Sequence, residues 1–200
     1  MYRYLQQLVL LILTVLSSAC AMAPPGMPLV APNERIDMRD VSFLPPERHS
    51  WYVVTHEPLG IELGAMGEEQ DETLAVQASY FEIPVIQNAE DLIAHLRPQV
   101  APEASERFTP LEFTMVPANF HGLACANAFF KIEDRQAQKR TSRADPMHLR
   151  IATLYCLHPW EKNVALHLSY SNRHYPDEGD PDFRDDARAM FDTLRAEPGL

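Results

Sequence analysis

The chain has 200 residues, with 17 lysines and arginines against 28 aspartates and glutamates, which gives a formal net charge of -11. A chain of this length can bury a core as a single domain, and we find no internal repeat that would indicate a second. Nucleic acid binding is excluded as an expected function, because phosphates require a basic face. The same acidic balance argues against general adhesion to anionic membranes.

An apolar run near the N-terminus predicts where the protein is located. Arg3 precedes the nine-residue stretch from Leu8 to Leu16, which is too short to span a bilayer as a helix. The sequence Leu16-Ser17-Ser18-Ala19-Cys20 then resembles the lipobox of bacterial lipoproteins. The resemblance implies a signal peptide over residues 1–19, acylation of Cys20, and a membrane-anchored lipoprotein on the periplasmic side.

The residues after Cys20 predict a tether. Ala21 stands where an aspartate would indicate retention in the inner membrane, so the outer membrane is favoured if the cell is Gram-negative. Residues 20–34 carry four prolines and no periodic pattern, which is typical of a semi-rigid spacer. We therefore expect a single domain over residues 35–200.

The first half of this domain predicts three strands, a helix and a fourth strand. Alternating apolar residues indicate strands at Trp51–Thr55, Leu59–Ala65 and Leu74–Ile83. Asn88 is a candidate N-cap for a short helix that Pro98 would stop, and Leu111–Val116 predicts the next strand.

Cys125 and Cys156 predict a disulfide, because the third cysteine is assigned to the lipid and disulfides persist in the envelope. Their segments, 120–132 and 148–157, are both typical of strands. If the two cysteines face each other in a hairpin, Ala126 meets Tyr155 and Ile132 meets Leu149, so one face becomes almost wholly apolar. The apolar pattern and the cysteines therefore specify the same register.

A further strand and a helix complete the pattern. We expect the strand Val164–Ser171 to pair with Leu157 opposite Val164, which extends the apolar face. For the last helix, Asp180 is the expected cap and Pro181 the expected first residue. Its apolar residues recur at helical spacing and are expected to cover that apolar face: Phe183, Ala187, Met190, Phe191 and Leu194.

The predicted fold class is α+β, with a largely antiparallel sheet of about six or seven strands, a mid-chain helix and a C-terminal amphipathic helix packed on the sheet. This order of elements, over about Trp51 to Ala196, resembles the Mog1/PsbP-like fold group. No diagnostic motif of that group is matched, so the resemblance implies a fold and no functional residue.

Few residues stand out as site candidates, and none is predicted to be catalytic or to bind a cofactor. Extending the hairpin register places His121 diagonally across from His158, a weak metal candidate with only two ligands. The acidic segment 177–186 resembles a calcium loop in composition and lacks the spacing of one.

Trp160 lies in a predicted turn, where an aromatic ring could anchor a partner. The only basic cluster is predicted to be either a solvated loop tip or a contact for anionic envelope components: Arg135, Lys139, Arg140 and Arg143.

The function expected from these observations is a non-enzymatic, lipid-anchored interaction module of the envelope. Its partners would be the membrane, through the N-terminal lipid, and another envelope protein or a cell-wall polymer. Two alternatives stay open. One is a module that binds a small ligand in a pocket between sheet and helix, and the other is a hydrolase assembled from dispersed residues.

Overall fold

A computed structural model describes residues 26–197, so the predicted signal peptide and Cys20 lie outside the described residues. Seven antiparallel strands form one sheet in the order β3-β4-β5-β9-β8-β7-β6. The strands are β3 (Tyr52–Glu57), β4 (Gly60–Met66), β5 (Thr73–Glu82), β6 (Phe108–Phe120), β7 (Leu123–Asp134), β8 (Met147–Leu157) and β9 (Val164–His174). The strands predicted from Trp51 to Ser171 are therefore all present, in the predicted order.

A second, three-stranded sheet was not predicted. It consists of β1 (Ile36–Met38), β2 (Val41–Phe43) and β10 (Arg195–Ala196), in the order β1-β2-β10. Met38, Val41 and Phe43 are buried in the same core cluster as the C-terminal helix. Strands this short have no readable periodicity, and β10 meets β2 from the far end of the chain.

Two helices pack on opposite faces of the main sheet: α1 (Ala89–Val100) and α2 (Phe183–Asp192). Leu92 and Leu96 of α1 lie in one core cluster with Ala126 and Tyr155, on the face predicted to be apolar. The prediction that the C-terminal helix covers this face is therefore wrong. All of the apolar residues predicted for α2 are buried, but they pack against the other face, the one that carries the disulfide.

The register of β9 explains this difference. Cys125 pairs with Cys156, Ala126 with Tyr155 and Ile132 with Leu149, as predicted. Leu157, however, pairs with Ala165 and not with the predicted Val164. A shift of one residue moves every side chain to the opposite face. This shift places three side chains of β9 on the same face as the disulfide: Leu166, Leu168 and Tyr170.

The Cys125–Cys156 disulfide is present, as predicted, and joins strands β7 and β8. Both cysteines are fully buried beneath the three-stranded sheet and α2, within the larger core cluster. The bond closes a loop with a sequence separation of 31 and so ties the two halves of this hairpin together.

The ends of the helices differ in detail from the prediction. The Asn88 side chain accepts a hydrogen bond from the Asp91 N–H at 2.8 Å, so the predicted N-cap of α1 is confirmed. Pro98 does not stop α1, which continues to Val100, because Val100 still packs against the core. Helix α2 begins at Phe183 and not at Pro181, with Asp182 as its N-cap residue. Asp180 still contributes, since its carboxylate accepts the Asp182 N–H at 2.9 Å.

Within residues 26–197, no helix is long and apolar enough to cross a membrane. The chain before β1 is partly engaged with the sheet. Val30 donates a hydrogen bond to the Trp51 carbonyl, and Val53 donates one to the Pro28 carbonyl, both at 2.9 Å. This part of the predicted tether therefore lies antiparallel to the edge strand β3.

Candidate interaction site at the Trp160 turn

The main sheet has two ends with different chemistry. We call one the Trp160 end, because it carries the turns at residues 58–59, 121–122 and 158–163. The opposite end, here the Asp71 end, carries the segments 67–72, 135–146 and 175–182. Adjacent strands run in opposite directions, so successive turns alternate between these two ends.

His158 organises the turn that carries Trp160. Its imidazole is 1% exposed, and its Nδ1 accepts the Glu161 N–H at 3.0 Å and the Trp160 N–H at 3.4 Å. Burial lowers the pKa of His158, with the nearby Asp40 carboxylate acting in the opposite direction. The ring is therefore neutral at pH 7 with its proton on Nε2, which lies 3.4 Å from Asp40 Oδ2.

A short acidic and basic network surrounds this imidazole. Arg39, at the β1–β2 turn, has a φ of 49°, a conformation that residues other than glycine adopt infrequently. Its Nε lies 3.1 Å from Asp40 Oδ2, and its guanidinium also donates to the Glu161 carboxylate. The three-stranded sheet is thereby joined to the β8–β9 turn. Both Arg39 and Asp40 were missed by the sequence analysis, since more than a hundred residues separate them from this turn.

Trp160 presents an apolar surface on this fixed turn. The side chain is 47% exposed, and its ring lies 5.5 Å from that of His158. On the other side, the Tyr80 ring also lies 5.5 Å from His158, and the Tyr80 N–H donates to the Leu59 carbonyl. Leu59 is 54% exposed. The buried imidazole thus contacts the Trp160 ring on the β8–β9 turn and the Tyr80 ring, whose backbone is hydrogen-bonded to that of the exposed Leu59.

This cluster does not fit a metal ion. Donor atoms of Asp40, His158 and Glu161 lie within 4.8 Å of one another. A histidine ligand needs an unprotonated nitrogen, however, and here Nδ1 accepts backbone N–H groups while Nε2 carries the proton. The Arg39 guanidinium already forms ion pairs with both carboxylates. The site is therefore better suited to holding a rigid surface than to coordinating a cation.

A second group of possible ligands lies at the Asp71 end. Donor atoms of His49, Asp180 and Asp186 also lie within 4.8 Å of one another. Arg48 forms ion pairs with both carboxylates, at 3.5 Å from each, and it also contacts Asp182 at 3.0 Å. Three carboxylates of the acidic segment 177–186 are thus paired with an arginine that the sequence analysis did not consider.

His121 lies in a different environment from His158. It forms the β6–β7 turn with Gly122, both with positive φ. Its Nε2 lies 2.9 Å from the Asp192 carbonyl, at the C-terminal end of α2. The imidazole therefore serves as a partner for a free helix carbonyl, and neither of the two ligand groups within the described residues includes it.

A cavity of about 480 Å³ lies beside His121, between the end of α2 and the small sheet. Arg35 lines it and donates to the Ser42 and Thr193 carbonyls. A small ligand, the alternative function left open by the sequence, would have room in this cavity. The Arg35 guanidinium in its lining, however, is engaged with backbone carbonyls.

The basic cluster at the Asp71 end is bound within the fold. Arg143 contacts Asp145, Asp177 and Glu178 at 2.6–2.8 Å and lies over the Tyr175 ring. Arg140 donates to the Glu72 carbonyl, Lys139 to the carbonyls of Arg143 and Asp145, and Arg135 to Glu133. All four cations of the β7–β8 connection thus have partners inside the protein.

Asp71 is the centre of this second region, and the sequence analysis did not identify it. Its carboxylate accepts the N–H groups of Arg140 and Thr141, the Thr141 hydroxyl and the Tyr175 hydroxyl. Burial alone would raise the pKa of Asp71, but these four hydrogen bonds outweigh it and lower the pKa to about 2. The contacts span 69–104 residues of sequence, so no local motif could have indicated them.

Comparisons with known proteins give a weak structural resemblance. No protein-family model matches the sequence, and a search of curated proteins finds no match. The solution structure of cyanobacterial PsbP (CyanoP) from Synechocystis sp. PCC 6803 is similar, with 8% sequence identity and a TM-score of 0.36. The match covers 80% of this chain and 95% of that one. This is a weak resemblance to the PsbP-like fold, and a resemblance at this level concerns the fold alone.

Proposed function

We propose that this chain is a lipid-anchored protein of the bacterial envelope, and that it acts as a non-enzymatic interaction module through the Trp160 turn. The main observation that supports this proposal is that Trp160, which is 47% exposed, lies on a turn whose backbone is hydrogen-bonded to the buried imidazole of His158. Large aromatic side chains on rigid supports are the groups that dominate the binding energy of protein surfaces.

The lipid anchor is supported by the sequence pattern that ends in Cys20. Metabolic labelling with a radioactive fatty acid should mark the wild-type protein and leave Cys20→Ser unlabelled and unprocessed. A Cys20→Ser protein that still carries the label would contradict the assignment of Cys20.

The interaction surface is tested by placing a photoreactive amino acid at position 160 of the full chain in intact cells. Position 111 is a matched control, because Leu111 is also 47% exposed but lies on the edge strand β6. We expect light-dependent adducts from position 160 and few from position 111. Equal yields from both positions would contradict the proposal.

A further inference from the structure

We infer that the partner of the Trp160 end is the lipid surface in which the protein is itself anchored, so that the sheet stands end-on against the membrane. This inference rests on the proposed function, since it assigns a partner to the same surface and uses the same anchor. It follows from the direction of the N-terminal chain, from the position of the exposed apolar side chains and from the local charge.

The N-terminal chain runs towards the Trp160 end. Leu29 pairs antiparallel with Tyr52, and the Pro28 carbonyl accepts the Val53 N–H. Followed back from Val30 to Pro28, the chain therefore runs along β3 in the direction of Glu57 and the turn at residues 58–59. Pro28 is eight positions after Cys20 in the sequence, and a chain of this length reaches at most about 28 Å.

The connector is long enough to place the anchor point at the Trp160 end. From Val53 to the end of β3 the strand itself advances roughly 13 Å, at about 3.3 Å per residue. The remaining reach of the connector is short compared with the size of the domain. A connector that keeps the direction of residues 28–30 would let an acylated Cys20 hold this end of the sheet near the headgroups, with the Asp71 end farther away.

The exposed apolar side chains at this end suit a lipid surface. Leu59, Val85 and Trp160 are 54%, 63% and 47% exposed. Val85 follows β5 next to the β8–β9 turn, where the Ile83 N–H donates to the Asn163 carbonyl. Tryptophan is enriched at the level of lipid headgroups, because its ring is apolar and its N–H is polar.

The other three exposed large apolar residues of the described chain lie along the sides of the sheet. Leu29 pairs beside β3, and Leu111 and Val116 belong to β6 at the opposite edge. Among the described residues, several exposed large apolar residues thus lie together only at the Trp160 end, which is the end towards which the chain from Val30 to Pro28 runs. The side positions provide matched controls of similar exposure.

Charge at this end favours neutral headgroups. Asp40, Glu57 and Glu161 outnumber Arg39 and Lys162 around the turns, and Arg39 is shared between two of the carboxylates. Attraction to anionic lipid requires clusters of basic residues, which the Trp160 end lacks among the described residues. We therefore expect this end to dock on zwitterionic lipid. The docking should be insensitive to salt, and anionic lipid should weaken it.

Weak docking is sufficient because the anchor makes it intramolecular. Three side chains inserted at the headgroup level give a low affinity for a free domain. A short connector, however, raises the effective concentration of the surface to the millimolar range. Removal of one apolar side chain should then change the ratio of docked to undocked protein by about tenfold.

The first experiment uses the acylated full-length protein in phosphatidylcholine vesicles with and without brominated acyl chains, which quench nearby tryptophans. The wild-type protein should lose much of its emission in the brominated vesicles. A Trp160→Phe variant, which retains only the core residue Trp51 (3% exposed), should lose little. Equal quenching of the two proteins, or no quenching of either, would overturn the inference.

The second experiment compares two substitutions of equal exposure. Leu59→Asp, at the Trp160 end, should reduce the quenching of Trp160, and Val116→Asp, on β6, should leave it unchanged; both residues are 54% exposed in the wild type. Thermal unfolding establishes that both variants are folded. The same reduction in both would overturn the inference, because the effect would then be one of added charge.

These outcomes separate the inference from the proposed function. Adducts from position 160 that are protein, together with unquenched Trp160 in brominated vesicles, would overturn lipid docking and leave the interaction module intact. An unacylated Cys20 would overturn both. Lipid adducts from position 160, with quenching that depends on Leu59, would support both.

Discussion

The two ends of the sheet use their polar groups differently. At the Asp71 end, charged and polar groups from three distant segments are satisfied by one another, with the Asp71 carboxylate accepting four hydrogen bonds. At the Trp160 end, a buried imidazole fixes a turn whose apolar residues are left exposed. Polar groups at one end thus stabilise the fold internally, and polar groups at the other end hold exposed apolar residues in place.

Loss of the disulfide should have the largest effect. Because the bond closes a loop with a separation of 31, its removal by Cys125→Ala/Cys156→Ala should lower the free energy of unfolding by about 3–4 kcal/mol. Urea denaturation of oxidised and reduced protein measures this. Since Cys156 lies two residues before His158, reduction should also increase the mobility of Trp160, which fluorescence anisotropy detects. Two free thiols in the protein isolated under oxidising conditions would contradict the bond.

Breaking the hydrogen bonds of Asp71 should have the next largest effect. In Asp71→Asn an amide N–H₂ faces donors that need an acceptor, which should cost about 3 kcal/mol of unfolding free energy. Asp145→Asn is the control, because Asp145 forms a mostly exposed ion pair with Arg143 and should cost less than about 1 kcal/mol. A comparable loss in both variants would remove the distinction between a buried network and a surface pair.

The same residue predicts a pH dependence. Since the pKa of Asp71 is about 2 in the folded protein, compared with 3.8 for an unperturbed aspartate, its contribution to stability is complete above pH 4. It is lost as the pH falls from about 4 to 2, because the unfolded chain then binds the proton more readily. Thermal unfolding midpoints should fall more steeply over this interval in the wild type than in Asp71→Asn. Parallel curves would contradict the lowered pKa.

Removing the acceptor of the Trp160 turn should have a smaller effect. His158→Phe retains an aromatic ring and leaves the Glu161 N–H without a partner, which should cost about 1–2 kcal/mol. The anisotropy of Trp160 should fall at the same time. His56→Gln is a control at an exposed histidine that contacts only the Asp37 carbonyl. Unchanged anisotropy in His158→Phe would show that the imidazole does not hold the turn.

The smallest effect on stability is expected from the exposed residues themselves. Leu59→Ser and Val85→Ser remove apolar surface that is already in water, so the unfolding free energy should change by less than about 0.5 kcal/mol. Urea denaturation of the unacylated protein measures this. A larger loss would mean that these side chains pack within the domain and do not form a contact surface.

The sequence predicted the β7–β8 hairpin in detail because two independent signals agreed. The cysteines and the alternation of apolar residues each specified that Ala126 faces Tyr155. For β9 only the pattern was available, and both of its possible registers join some apolar residues. In the structure, β9 also pairs with β5 on its other side. That pairing sets Val76 opposite Tyr170 and places both in the core, which fits the observed register.

The candidate site was predictable only in its local part. Trp160 was identified because a large ring in a turn has little to pack against. The residues that support it could not be identified, because Asp40 and Tyr80 approach the turn from distant segments. The same limit applies to the basic cluster: its charges were visible, but its acidic partners come from the segments 67–72 and 175–182.

One backbone contact has a practical consequence for how the protein should be labelled. The Glu197 N–H donates to the Asp40 carbonyl at 2.9 Å, so the last described residues lie beside the turn that contains Trp160. A fluorescent protein or affinity tag fused after residue 200 would therefore crowd the proposed contact face and could imitate a loss-of-binding mutation. An epitope inserted within residues 101–107, at the opposite pole of the domain, would leave that face unobstructed.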